Sequence, residues 1–191
     1  MAFIVVYDAC VLYPAPLRDL LLRVARTGLV RARWSEAILE ECFRNIRESR
    51  PELSVDALER TRDLMNRSVA ECIVVGYEGL IDGLTLPDSN DRHVLAAAIR
   101  AGAQMIATFN LKDFPEDTLA AYGVEAKHPD EFIIEQIGLA PGAVVKVIIE
   151  QSQSLKNPPR SVTELLDTLR DCGLVQAVAN LRELLGPTDE G

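Results

Sequence analysis

Four acids stand where alternating strands and helices could gather them: Asp8 in "FIVVYDACVLYP", Asp91 in "LPDSNDRHVLAAAIRAGA", Asp113 in "IATFNLKDF", and one glutamate of "SEAILEECFRNI". Asp8 follows a short β-branched and aromatic run, so its carboxylate leaves a buried strand and loses hydration unless it is paired, hydrogen-bonded or bound to a cation. Asp113 comes just after a second such run. Asp91 opens an alanine-rich helix, where the macrodipole favours an acid by about 0.3 to 1 kcal/mol. Helix capping and membership of an acidic site are both open for it. Two carboxylates about 4 Å apart repel by about 4 kcal/mol at an effective dielectric near 20, and a divalent cation reverses that sign. Oxygen-only ligands suit Mg²⁺ or Mn²⁺, which keep part of their water shell. A metal-activated water can attack a phosphodiester with no covalent nucleophile on the protein.

Three glutamates compete for the remaining place, Glu36, Glu40 and Glu41. On a helix at 100° per residue, Ile38, Cys42 and Ile46 share one arc; Glu41 lies about 60° from Ile38 and Glu40 about 160°. Glu41 therefore borders the buried face while Glu40 points to water. His93, close behind Asp91, has neither a partner histidine nor a nucleophile nearby in sequence, and is read as structural.

These residues need elements to hold them. "FIVVY" and "QMIATF" predict buried strands, "LVRARW" another short one, and "GVEAKH" an edge strand. "CIVV" and "LTL" are extended candidates. Helices are predicted from Pro14 to Gly28, from Ser35 as N-cap to before Pro51, from Ser54 to about Val69, from Asp88 or Ser89 through Ala101 to Gly102, and after Pro115. From Asp130 onward the pattern is helical, broken near Gly138 and Pro141, at "NPP" and at Gly173. Strands alternating with helices imply right-handed crossovers and a mostly parallel sheet covered on both faces. In such sheets ligands bind outside the carboxyl ends of the strands, the edge where Asp8 and Asp113 would sit. The expected division is 1–129 for the α/β unit and 130–191 for a helical extension. The apolar face of that extension must dock on its own core, a second copy or a partner.

Other chemistries lack their signatures. The four cysteines are widely spaced and only two histidines are present, so no zinc framework can be assembled. No GxGxxG, GxxxxGK[ST] or GxSxG occurs, which removes the usual grounds for dinucleotide, P-loop or α/β-hydrolase chemistry. A net charge of −9 argues against a general nucleic-acid coat, yet residues 1–50 carry +2 and residues 129–191 carry −5. Arg18, Arg23, Arg26, Arg31 and Arg33 supply the positive surplus, as a solvated face or a phosphate-contacting patch. The N-terminal stretch lacks the basic segment of a secretory signal, and no apolar run reaches the ~20 residues of a membrane span, so a cytoplasmic protein off the membrane is expected.

The four segments that carry the acids, in this order and spacing over about residues 1–128, resemble the PIN domain, the nuclease fold of VapC-type toxins in bacterial toxin–antitoxin systems. The resemblance implies a three-layer α/β/α fold with a helical C-terminal appendage. It implies Asp8, Glu41, Asp91 and Asp113 as the acids that hold Mg²⁺ or Mn²⁺, with Thr108 and Asn110 in the adjacent motif. It further implies a metal-dependent endoribonuclease acting on RNA, an antitoxin protein as partner, and a homodimer. Many PIN domains carry an Asp two residues after the threonine, where this chain has Asn110; the fourth place thus lies between Asn110 and Asp113. Two alternatives remain at this stage. One is a PIN-like binding module without activity. The other is a phosphatase of the haloacid dehalogenase type, which expects a second Asp at position 10, where Cys10 stands.

Overall fold

The predicted strand at "FIVVY" is Phe3–Tyr7 (β1) in a computed structural model of the chain, which describes residues 3–186. It ends at Asp8, whose carboxylate accepts the Ala9 N–H at 2.7 Å and so opens a single-turn helix, Ala9–Leu12 (α1). One turn is too short to leave a periodic signal, and the sequence did not suggest it. Ala15–Arg26 (α2) follows, with Pro16 in its first turn, and then Val30–Arg33 (β2). Ser35 caps Glu36–Ser49 (α3) by accepting the Ile38 N–H, and Ser54 caps Val55–Ser68 (α4) by accepting the Ala57 N–H.

The extended candidates at "CIVV" and "LTL" form no strand. Ile73 makes a lone parallel bridge to Trp34, and the chain then passes through short 3-10 turns at Glu78–Gly83 and Ser89–Asp91. Gly76, Gly79, Gly83 and Pro87 interrupt any run long enough to pair. Arg92–Ala101 (α5) ends at Gly102 in the left-handed conformation, φ 63°, as a helix-terminating glycine should. Met105–Ala107 (β3), a 3-10 turn at Leu111–Asp113, Glu116–Ala120 (α6) and Glu125–Lys127 (β4) complete the α/β part.

The four strands form one sheet in the order β2-β1-β3-β4, parallel throughout. Side chains alternate faces along a strand, and Val5, Val6 and Tyr7 are all inaccessible, so both faces of β1 are covered. The fold is the expected three-layer α/β/α arrangement with C-terminal helices. From β1 the chain crosses to β2 on one side and later returns to β3 on the other. The carboxyl ends of β1 and β3 thus flank the point where the winding reverses, the place such folds use for ligands.

The C-terminal helices are Pro129–Leu139 (α7), Pro141–Ser154 (α8), Val162–Asp171 (α9) and Val175–Leu185 (α10). Of the three destinations open to their apolar faces, the structure shows packing on the chain's own core. Phe132 stands edge-on to Tyr7 at 6.0 Å, and α8 lies along α2, where the Gln151 side chain donates to the Pro16 carbonyl at 2.9 Å. Buried side chains of β1, α2, α7, α8, α9 and α10 belong to one continuous apolar cluster. Asp130, buried on α7, accepts the N–H groups of Gln176 and Ala177 at 2.9 and 2.8 Å and caps α10 from another helix. Among the described residues no single helix is long and apolar enough to cross a membrane.

Candidate active site

Asp8 and Thr108 continue the ladder by one residue beyond β1 and β3: the Asp8 N–H donates to the Ala107 carbonyl at 3.1 Å, and the Thr108 N–H to the Lys127 carbonyl at 3.0 Å. Their side chains meet at the sheet edge. The Thr108 hydroxyl, wholly buried, donates to Asp8 Oδ2 at 2.7 Å and accepts the Asn110 N–H at 3.0 Å. Cys10 Sγ donates to the same Oδ2 at 3.2 Å and accepts the Phe109 N–H at 3.3 Å. Burial and the Asp8 charge push the Cys10 thiol up to about 12, so the sulfur keeps its proton and serves as a donor. Oδ2 thus accepts two bonds and Oδ1 one, from the Ala9 N–H, which leaves Oδ1 the freer oxygen toward a ligand. Burial still raises the Asp8 carboxyl above its usual range, opposed by Thr108, Cys10 and Ala9, and the Glu41 charge raises it further.

Asp91 resolves its two readings in an informative way. It stands at the start of α5, yet its carboxylate makes no capping hydrogen bond. Asp88 caps the preceding 3-10 turn, Ser89–Asp91, its Oδ1 accepting the Asn90 N–H at 2.8 Å. The Asp91 carboxyl is pushed up to about 6, first by burial and then by the charges of Asp8, Asp88, Asp113 and Glu41. A partly buried carboxylate with no capping bond, within reach of the charges of four other acids, is the central observation of the site.

Glu41, in the second turn of α3, is one-third exposed and has its Oε2 3.4 Å from His93 Nε2. Glu40 and Glu36 turn away and both pair with Arg62 of α4, Glu40 at 3.4 Å. Asp113, half-buried at the end of its 3-10 turn, acts on Asp91 by charge, and its N–H donates to the Asn110 carbonyl at 2.9 Å. Asn110 is exposed and joins the network through its main chain. The structure therefore brings Asp8, Glu41, Asp91, Asp113 and Thr108 to one edge of the sheet, with Asn110 beside them.

Cys10 and Asp88 were not among the candidates read from sequence, and His93 was read as structural. The only sequence signal for Cys10 was its place two residues after Asp8, an offset that one helical turn brings back toward the carboxylate. The arginines near the N-terminus are largely engaged within the chain. Arg18 donates to the Leu12 and Tyr13 carbonyls, Arg23 to Asp19 and Ser154, and Arg31 and Arg33 to Glu71. Arg26 is exposed.

Among the described residues, no three His, Cys, Asp or Glu side chains converge as a preformed metal cage. The donor chemistry nevertheless fits a hard divalent cation. All the donors are carboxylates, they repel one another without an ion, and Mg²⁺ needs only one or two protein carboxylates because it keeps several waters.

Comparison with known proteins adds three findings. A family described as "PIN domain" matches residues 4–112, more than half of the chain, and one described as "VapC50 C-terminal domain" matches residues 129–183. The chain is 43% identical over 94 residues to a protein of Mycobacterium tuberculosis named "Putative ribonuclease VapC50". That match covers 49% of this chain and 55% of the relative, so the chain spans about half the length of the curated protein it matches. No solved structure matches.

Proposed function

Because the chain belongs to the PIN domain family, we propose that its carboxylate cluster is the active site of a metal-dependent endoribonuclease, the toxin of a toxin–antitoxin pair. The observation that carries this reading is Asp91: a carboxylate unused for capping, desolvated, and surrounded by the charges of Asp8, Asp88, Asp113 and Glu41. Such a cluster is costly unless a cation occupies it. The word ribonuclease in the relative's name points the same way.

Asp8 and Asp91 would hold Mg²⁺ or Mn²⁺, with Glu41 completing the shell or orienting a water, and Asp113 as an outer ligand. When bound, the ion supplies a water activated at neutral pH and positive charge against the phosphoryl oxygens. The chain's own residues do the positioning. Thr108 and Cys10 hold Asp8 Oδ2 and leave Oδ1 toward the site. His93 stands against Glu41, and Asn110 fixes Thr108 through its N–H. The Cys10 thiol keeps its proton and serves Asp8 as a donor, and this reading assigns the attack to a water. The haloacid dehalogenase alternative has no second acid at position 10 and gives way to the family match.

The proposal includes RNA as substrate, an antitoxin protein and a second copy of the chain as partners, residues 130–191 as a helical C-terminal extension, and a cytoplasmic setting. The test is cleavage of a total RNA pool with Mn²⁺ by the wild type and by Asp91→Asn. Loss of cleavage in the folded variant supports the reading. Undiminished cleavage by Asp91→Asn removes the site assignment, and a wild type that neither cleaves RNA nor responds to Mn²⁺ favours a binding module.

A further inference from the structure

The C-terminal helices reach the acidic site through one side chain. Phe109 lies between Thr108 and Asn110, and its N–H donates to Cys10 Sγ at 3.3 Å, so its backbone is part of the network that holds Asp8. Its ring points away from that network into the extension. There it meets His128 edge-on, at 5.0 Å between ring centres, and the turn between α9 and α10 at Gly173.

Gly173 has φ +102°, a conformation that side chains rarely adopt, and a Cβ there would stand 3.1 Å from Phe109 Cε1 and 3.8 Å from His128 Cε1. Only glycine lets the turn close on the ring. The turn is itself tied to α7. Asp130 caps α10 by accepting the Gln176 and Ala177 N–H groups, and His128 Nδ1 accepts the Asp130 N–H at 3.2 Å. Phe132, one turn of α7 beyond His128, packs on Tyr7 of β1. A closed path thus runs from β1 through α7 and α10 to Gly173, onto Phe109, and back through Cys10 to Asp8.

We infer that Phe109 is a positioning residue, and that docking of the α9–α10 turn upon it holds the Thr108–Asn110 segment in the conformation that orients Asp8. The C-terminal helices are then a working part of the site. The inference rests on the proposed function only for what the site does, and concerns the metal-free protein as much as the loaded one.

The experiment compares full-length wild type, Phe109→Leu, which keeps apolar bulk but removes the ring edge, and Leu181→Ala. Leu181 is wholly buried in α10 about two turns beyond Gly173, so the second variant loosens the extension without touching the ring. The first readout is amide hydrogen exchange at positions 109 and 110 in metal-free protein. Phe109→Leu is expected to speed both amides about tenfold through local opening, and Leu181→Ala to speed them less while lowering the melting temperature. The second is Mn²⁺ affinity by calorimetry, expected to fall about tenfold in Phe109→Leu alone, as for loss of an outer-shell support. Unchanged exchange in Phe109→Leu, or an acceleration there no larger than at the Val5 and Val6 amides of β1, which would mean global opening, overturns the inference. A wild type that binds no Mn²⁺ counts against the proposed function, while the exchange result still decides the role of Phe109.

Discussion

Replacing Asp91 by Asn should stabilise the metal-free protein, and only above the pH at which the carboxylate ionises. In the unfolded chain Asp91 ionises near its usual 3.8; in the folded protein it ionises near 6. Between those values the folded state holds a proton that the unfolded state has released, so stability falls as pH rises through that window. The whole penalty stands above about pH 7 and vanishes below the unfolded value. About two units correspond to about 3 kcal/mol if taken in full, and solvent screening of a partly exposed group reduces this to about 1–2 kcal/mol. Asparagine has the same shape, carries no charge and gives up no capping bond, since Asp91 makes none. The variant should therefore match the wild type at pH 4 and melt about 2–6 °C higher at pH 8. The assay is thermal unfolding by circular dichroism in EDTA from pH 4 to pH 8, leaving out the neighbourhood of the isoelectric point near 4.8. Excess Mn²⁺ at pH 8 should reverse the order by stabilising the wild type more than the variant. An Asp91→Asn protein less stable than the wild type at pH 8, or one whose advantage is the same at both ends of the range, would refute the argument from burial and repulsion.

Thr108→Val, close in shape, strands the Asn110 N–H and removes a donor from Asp8 Oδ2; a loss of about 1–3 kcal/mol in urea unfolding is expected, and no loss would mean the buried hydroxyl is dispensable. Glu41→Gln should depress Mn²⁺-dependent RNA cleavage by about tenfold or more, as for loss of a group that supports a metal site, whereas Glu40→Gln, which gives up a surface contact to Arg62, should leave it near wild type; the reverse order would show that α3 presents the wrong face to the site. Asp130→Ala leaves the Gln176 and Ala177 N–H groups without their acceptor and should cost about 2–4 kcal/mol by the same unfolding measurement, with α10 loosened in hydrogen exchange; full retention of stability would mean water replaces the carboxylate.

What could be read in the sequence was what local chemistry determines. Ser35 and Ser54 announce their helices because a side-chain oxygen one position before the first turn has one job, and Gly102 ends α5 for a similar reason. The choice of Glu41 over Glu40 followed from angular spacing, and the structure places Glu41 at the site edge and Glu40 on Arg62. Three-dimensional features escaped. Nothing local says that Cys10 will turn back onto Asp8, because that depends on a one-turn helix that Asp8 itself starts. Asp88 and Asp91 are equally good caps on paper; only the folded turn assigns that task to Asp88 and leaves Asp91 free. The extended candidates at 72–75 and 84–86 failed because a strand needs a neighbour, and glycines limit the first to a single bridge. Gly173 reads as a break in the sequence, while the aromatic ring it must admit lies 64 residues earlier.

The hydrogen bond from Thr108 to Asp8 spans 100 residues of chain. At about 5–20 residues per second of synthesis, the first acid emerges some 5–20 seconds before the hydroxyl that holds it exists. No nascent chain that stops short of Thr108 can make this bond, whatever local structure it forms, because its donor is missing. A premature stop anywhere before Thr108 yields a fragment with an unsupported Asp8. Products of synthesis interrupted before that point should therefore lack the Thr108 hydrogen bond to Asp8.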